Sequence, residues 1–257
     1  LFSWIDRIML RMFVSFSEIG LYSAAFKLVS VMDMFSTGFT TLWFPFAYEL
    51  LEKKCEPENK LVFIQAFDFV SFGMFLLGFL VLTLKDVIFL VFAKDYRSAA
   101  SVSPFLLLSP IMISLEVIVG RGIDFVKKTY WFVVIYLSAT AVNTLGNLSL
   151  IPVFGAKGAA ISTGLSAVFL FAFENAVSHK LYPVGYNTRR VYLMVMIFSI
   201  IAVICTFFGT IISILLGALG LTTTAFCYKN EFRAILRKLK QYLSGKKCCD
   251  LMNKGVK

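Results

Sequence analysis

The sequence predicts an all-α polytopic membrane protein with about eight transmembrane helices, and three observations carry that expectation. Of 257 residues, 59% are hydrophobic and only 16% charged, against about 25% charged in an average soluble domain. The apolar residues fall in long unbroken runs, each near the roughly 20 residues that cross a bilayer as a helix. The cations alternate between successive joints, as a chain threading back and forth through a membrane requires. A soluble fold of this composition would expose apolar patches large enough to aggregate. Soluble enzymes, nucleic-acid binders and disordered chains are thereby excluded.

In order, the spans are Leu1–Phe16, Leu21–Ala47, Leu61–Leu84, Ser101–Gly120, Thr129–Val153, Ala156–Ser178, Val191–Phe208 and Thr210–Tyr228. The first is short. The chain opens at Leu1 in mid-pattern, with neither an initiator Met nor a signal peptide, so a fragment is expected. Barrel strands would show about ten residues of alternation instead of continuous runs. Pro45, Pro104 and Pro110 fall within or at the ends of spans and are expected to kink or break helices. The polar joints, such as 49–60 and 183–190, are too short to fold as soluble domains.

Charge sets the expected orientation. One side carries Lys53, Lys54, Lys60, Arg121, Lys127, Lys128, Lys180, Arg189, Arg190 and the nine cations of the tail. The other carries Lys85, Lys94, Arg97 and Lys157. This 18-to-4 imbalance places the C-terminus in the cytoplasm. The tail also accounts for most of the net charge of +10. Within it, Phe232, Ile235, Leu236, Leu239 and Leu243 recur at helical spacing among Arg and Lys. Residues 229–257 therefore read as a basic amphipathic helix on anionic headgroups, which serves first as a positive-inside anchor. Nucleic acid is not needed to explain the charge.

Ionisable groups inside spans are costly and usually face a protein interior or a wet cavity. Asp6, Arg7 and Arg11 lie in the first span, the two arginines one turn apart. In the second, Ser23, Lys27, Ser30, Thr37 and Thr41 form a polar stripe with Asp33 beside it. Gln65 and Asp68 share a face of the third, and Glu116 lies in the fourth. Thr140, Asn143, Thr144 and Asn147 line one face of the fifth, and Glu174 with Ser178 marks the sixth. The candidate cavity residues are Arg7, Arg11, Lys27, Asp33, Asp68, Glu116, Asn143 and Asn147. Lys27 stands out, because the stripe surrounds it and no acid lies one turn away. Each has a bland alternative. Asp6 and Arg7 can pair with other helices for packing, Glu116 and Glu174 can be solvated near an interface, and Asn pairs often serve as helix–helix glue.

Catalysis is not expected. His179 is the single histidine, no Walker-type glycine loop occurs, and Cys55, Cys205, Cys227, Cys248 and Cys249 lack zinc spacing. No cofactor or metal is expected.

Three stretches carry a resemblance. They are WIDRIMLRMF…EIGLYSAAFKL (4–28), the run from Phe89 through Tyr96, Ala99 and Ala100 to GRGIDFVKKT (120–129), and NTLGNLSLIPVFGAKGAAISTGLS (143–166). Together they resemble the polysaccharide-biosynthesis flippases, the lipid-linked oligosaccharide (O-antigen type) translocases of the multidrug/oligosaccharidyl-lipid/polysaccharide exporter superfamily. The third stretch is the most specific, and the basic tail lies outside the resemblance. Relatives commonly have 12 or 14 spans in two six-helix lobes. The resemblance thus implies that residues 1–178 are the second lobe, with a truncated first helix, and that 191–228 are two trailing helices.

It further implies alternating access, with one lobe rocking against the other around a midplane site. The implied cargo is an undecaprenyl-pyrophosphate-linked oligosaccharide, moved from the inner to the outer leaflet of the cell membrane. Lys27 and Arg7 would meet its diphosphate, and Asp33, Asp68 or Glu116 would couple movement to protons or sodium. Besides cargo and membrane lipids, a glycan polymerase and other polysaccharide-assembly proteins are implied partners. A multidrug cation antiporter and a peptidoglycan-precursor flippase of the same superfamily are alternatives, and a non-transporting membrane scaffold is one of another class.

Overall fold

A computed structural model of the chain describes residues 2–52, 56–229, 231 and 233. The described residues are almost entirely helical and contain no strand. The helices are α1 (Phe2–Phe13), α2 (Phe16–Glu52), α3 (Glu56–Leu90), α4 (Ser103–Leu106), α5 (Leu108–Val119), α6 (Arg121–Phe125), α7 (Tyr130–Phe154), α8 (Ala156–Leu181), α9 (Thr188–Phe207) and α10 (Thr210–Cys227), with a 3₁₀ segment at Lys94–Ser101. Among the described residues, seven stretches are long and apolar enough to span a bilayer. The tail expected over 229–257 lies outside the described residues, apart from Lys229, Glu231 and Arg233.

The seven stretches match the second to eighth expected spans within a few residues at most ends, and their helices run further into the polar joints. The 12 residues of α1 rise only about 18 Å, short of a roughly 30 Å hydrocarbon core. The expected fourth span is broken into α4, α5 and α6. Pro104 and Pro110 sit in the first turns of α4 and α5, where a missing N–H removes no intrahelical bond. Pro45 lies inside α2, which continues through it.

The broken span is the centre of the fold. Its best apolar window is 83% buried, and Ile111, Met112, Leu115, Ile118 and Val119 are all enclosed. Helix α5 packs on α8, α3 and α2, while α7 lies along α8 and α10 along α3. The α7–α8 hairpin turns at Gly155, whose φ of +57° suits glycine. A distant acid completes that turn: the Ala156 amide donates to Glu18 Oε2 at 3.0 Å, a carboxylate placed on the N-terminus of α8.

Candidate functional site

Two buried polar clusters and one bare polar face emerge when the in-span residues are located. The first cluster is built on Asp6, which is fully buried. Tyr22 Oη and Thr163 Oγ1 each donate to its Oδ2 at 2.5 Å, and Asn147 Nδ2 donates to its Oδ1 at 2.6 Å. Asn147 also donates to Asn143 Oδ1 at 3.4 Å, and Asn143 Nδ2 donates to Thr163 Oγ1 at 3.4 Å. Four helices thus meet at one carboxylate: α1, α2, α7 and α8. In lipid a buried carboxyl group is tolerated only when hydrogen-bond partners replace its water, and here three do. Asn143 and Asn147 are both buried in this contact. Their position fits the adhesive role of such pairs between helices.

That clasp fixes the positions of the neighbouring cations. Arg7, half-buried, holds its guanidinium 6.0 Å from the ring centroid of Phe26, the residue before Lys27. Arg11 and Lys27 are exposed on the chain surface, and neither forms an ion pair among the described residues. Arg7 of α1 thus reaches over α2 to the residue next to Lys27 in the chain, and Lys27 itself is exposed. Along α2, Ser30, Thr37 and Thr41 are exposed on the same side as Lys27, and Asp33 is half-buried. The stripe is a polar face turned away from the core. A groove of about 340 Å³ opens on the neighbouring face, lined by Phe35, Phe39, Val70, Met74 and Leu77.

Asp68 lies elsewhere. On α3 it feels the charges of Arg190 and Glu231, which approach each other to 3.8 Å. The structure does not bring it to Lys27.

Glu116 belongs to the second buried cluster. It pairs side chain to side chain with Glu174 of α8, and Tyr136 Oη of α7 donates to its Oε1. Arg121 lies alongside, bound to Asp124 at 2.5 Å, donating to Tyr48 Oη at 3.2 Å and stacked 4.4 Å over the Phe44 ring. The partners Tyr22, Thr163 and Tyr136 carried no sequence signal for these roles, because they lie 16, 157 and 20 residues from the acids they bind. Among the described residues, no three His, Cys, Asp or Glu side chains gather where they could hold a metal ion.

No protein-family model matches the chain, and no solved structure matches it. Two curated relatives do. Over 166 residues the chain is 25% identical to the probable low-salt glycan biosynthesis flippase Agl15 of Haloferax volcanii, covering 64% of this chain and 35% of that protein. Over 173 residues it is 28% identical to the probable flippase AglR of the same organism, again covering 64% of this chain and 35% of the relative. The matched region spans about a third of the length of these relatives. The chain is a multi-pass, α-helical membrane protein that is similar over part of its length to two probable flippases, one of them named for glycan biosynthesis.

Proposed function

We propose that this chain forms the second lobe, with two trailing helices, of a flippase that carries a lipid-linked oligosaccharide from the inner to the outer leaflet of the cell membrane. The observation that carries the reading is the α1–α2 face. Arg7 and Arg11 of α1 and Lys27 of α2 have no acidic partner among the described residues, on helices clasped together by a buried carboxylate. Unpaired cations on an apolar protein call for an anionic ligand, and a pyrophosphate offers several oxygens to such groups. The apolar groove beside the stripe suits a cargo with a charged head and a hydrocarbon tail, here an undecaprenyl chain. The names of the two relatives point to the same class of process. The charge bias of the joints supports a cytoplasmic C-terminus. Transport by rocking of lobes needs binding and positioning groups, not a catalytic centre. A glycan polymerase and other assembly proteins are the partners this reading brings with it.

In the full-length protein, Lys27→Ala is expected to lower glycan export about tenfold or more at unchanged protein level, because one charge-assisted contact to the cargo is lost. Lys27→Arg, which keeps the charge, should restore most of it. Export measured in cells, beside the amount of protein in the membrane, decides the matter. Unchanged export in the alanine variant would remove the cargo role from this face.

A further inference from the structure

We infer that Glu116 of α5 and Glu174 of α8 form a one-proton binding site, two carboxyl groups holding a single hydrogen between them at the centre of the helix bundle. Both residues are almost completely buried. Their side chains face one another, and Oε2 of each is buried without any hydrogen-bond partner. A carboxylate can only accept, so two facing carboxylates leave lone pairs opposed in a low-dielectric site. Like charges at this range cannot both persist. One proton resolves the conflict, because a carboxylic acid donates where a carboxylate accepts.

The surroundings do not offer a second solution. The charged and titratable neighbours are Arg121 and Asp124 at α6 and Tyr136 of α7, with Tyr48 of α2 on the far side of Arg121. Arg121 is bound by Asp124 at 2.5 Å and forms no ion pair with either glutamate among the described residues, so one cation is shared among three acids. Tyr136 gives its one hydrogen to Glu116 Oε1. The site is also shaped for the second carboxyl: a Cβ on Gly120 would collide with Glu174 Oε1. Ser178, one turn further along α8, donates to the Val119 carbonyl at 2.7 Å and holds the helices in register.

Binding forms one O–H bond on one glutamate, hydrogen-bonded to the other. Release returns the proton to water and leaves two repelling carboxylates between α5 and α8, the most central pair of helices. This deepens the flippase reading by supplying an ion for it, and it rests on that reading only for the use made of the proton.

Infrared difference spectra of the chain in lipid, recorded across a pH series in H₂O and D₂O, test it without any cargo. The expected result is a deuterium-sensitive carboxylic-acid carbonyl band at neutral pH that disappears in the Glu116→Gln/Glu174→Gln variant. Glutamine keeps the volume and both hydrogen-bonding capacities. Should that variant not accumulate, Tyr136→Phe keeps both acids, removes one donor and is expected to shift the band. No such band in the unaltered chain, a band of equal intensity in the double variant, or an unshifted band in Tyr136→Phe would each overturn the proposal. Failure here is distinct from failure of the flippase reading, which the Lys27 export measurement addresses.

Discussion

Asp6→Ala should destabilise the folded chain by about 3 kcal/mol. The substitution deletes one carboxylate but leaves three donors buried, from Tyr22, Asn147 and Thr163. Each unsatisfied buried group costs about 1–3 kcal/mol. The lower part of the summed range applies, because helices separated within a bilayer still find alternative polar partners. Asp6→Asn separates charge from shape. Its carbonyl can still accept from Tyr22 and Thr163, and its amide can donate to Asn147 Oδ1, which is buried without a partner, once the two side chains adjust. About half of the loss should therefore return. Thermal unfolding of the purified proteins in detergent measures both. An alanine variant that melts with the unaltered chain would mean that α1 is not anchored by this carboxylate.

Gly158→Ala should cost about 2–3 kcal/mol, although alanine is normally the better helix former. A Cβ at position 158 would run into the carbonyl of Leu150, and Ile151 N lies 3.0 Å from the same point. These neighbours are backbone atoms of α7, so no side chain can rotate aside. Either α7 and α8 move apart or the turn at Gly155 distorts. Close approach of small residues is what holds helices together where surrounding lipid is as apolar as the side chains. The α7–α8 hairpin also carries Asn143, Asn147 and Thr163, so the damage should reach the Asp6 clasp. The same melting measurement, with Gly185→Ala in the loop as a control, checks this. Position 185 has no atom within 4 Å of an added Cβ, so its cost is confined to a strained φ of +88°.

The helices themselves are legible in the sequence. Seven stretches of spanning length lie where the apolar runs place them, since a backbone in hydrocarbon must satisfy its own hydrogen bonds and a helix does so locally. The unusual residues were legible too, as polar side chains in greasy runs. Their partners were not. Asp6 reaches Asn147 across 141 residues and Thr163 across 157, and no local pattern encodes which helix lies next to which. Read from sequence, Arg7, Arg11, Lys27, Asp33, Asp68, Glu116, Asn143 and Asn147 form one lining. In the fold Lys27 and Arg11 are exposed, Asn143 and Asn147 are enclosed, Asp68 lies within the influence of Arg190 and Glu231, and Glu116 pairs with Glu174.

Two spans show where the division falls. Ser103–Phe125 and Thr210–Cys227 have the same mean hydropathy of 1.8, yet their apolar windows are 83% and 22% buried. Sequence alone determined that both cross a membrane, because insertion depends on apolar length and composition. Which of them became the central element was settled by packing in three dimensions. Lipid and protein interior are equally apolar, so hydropathy carries no record of which one a leucine touches.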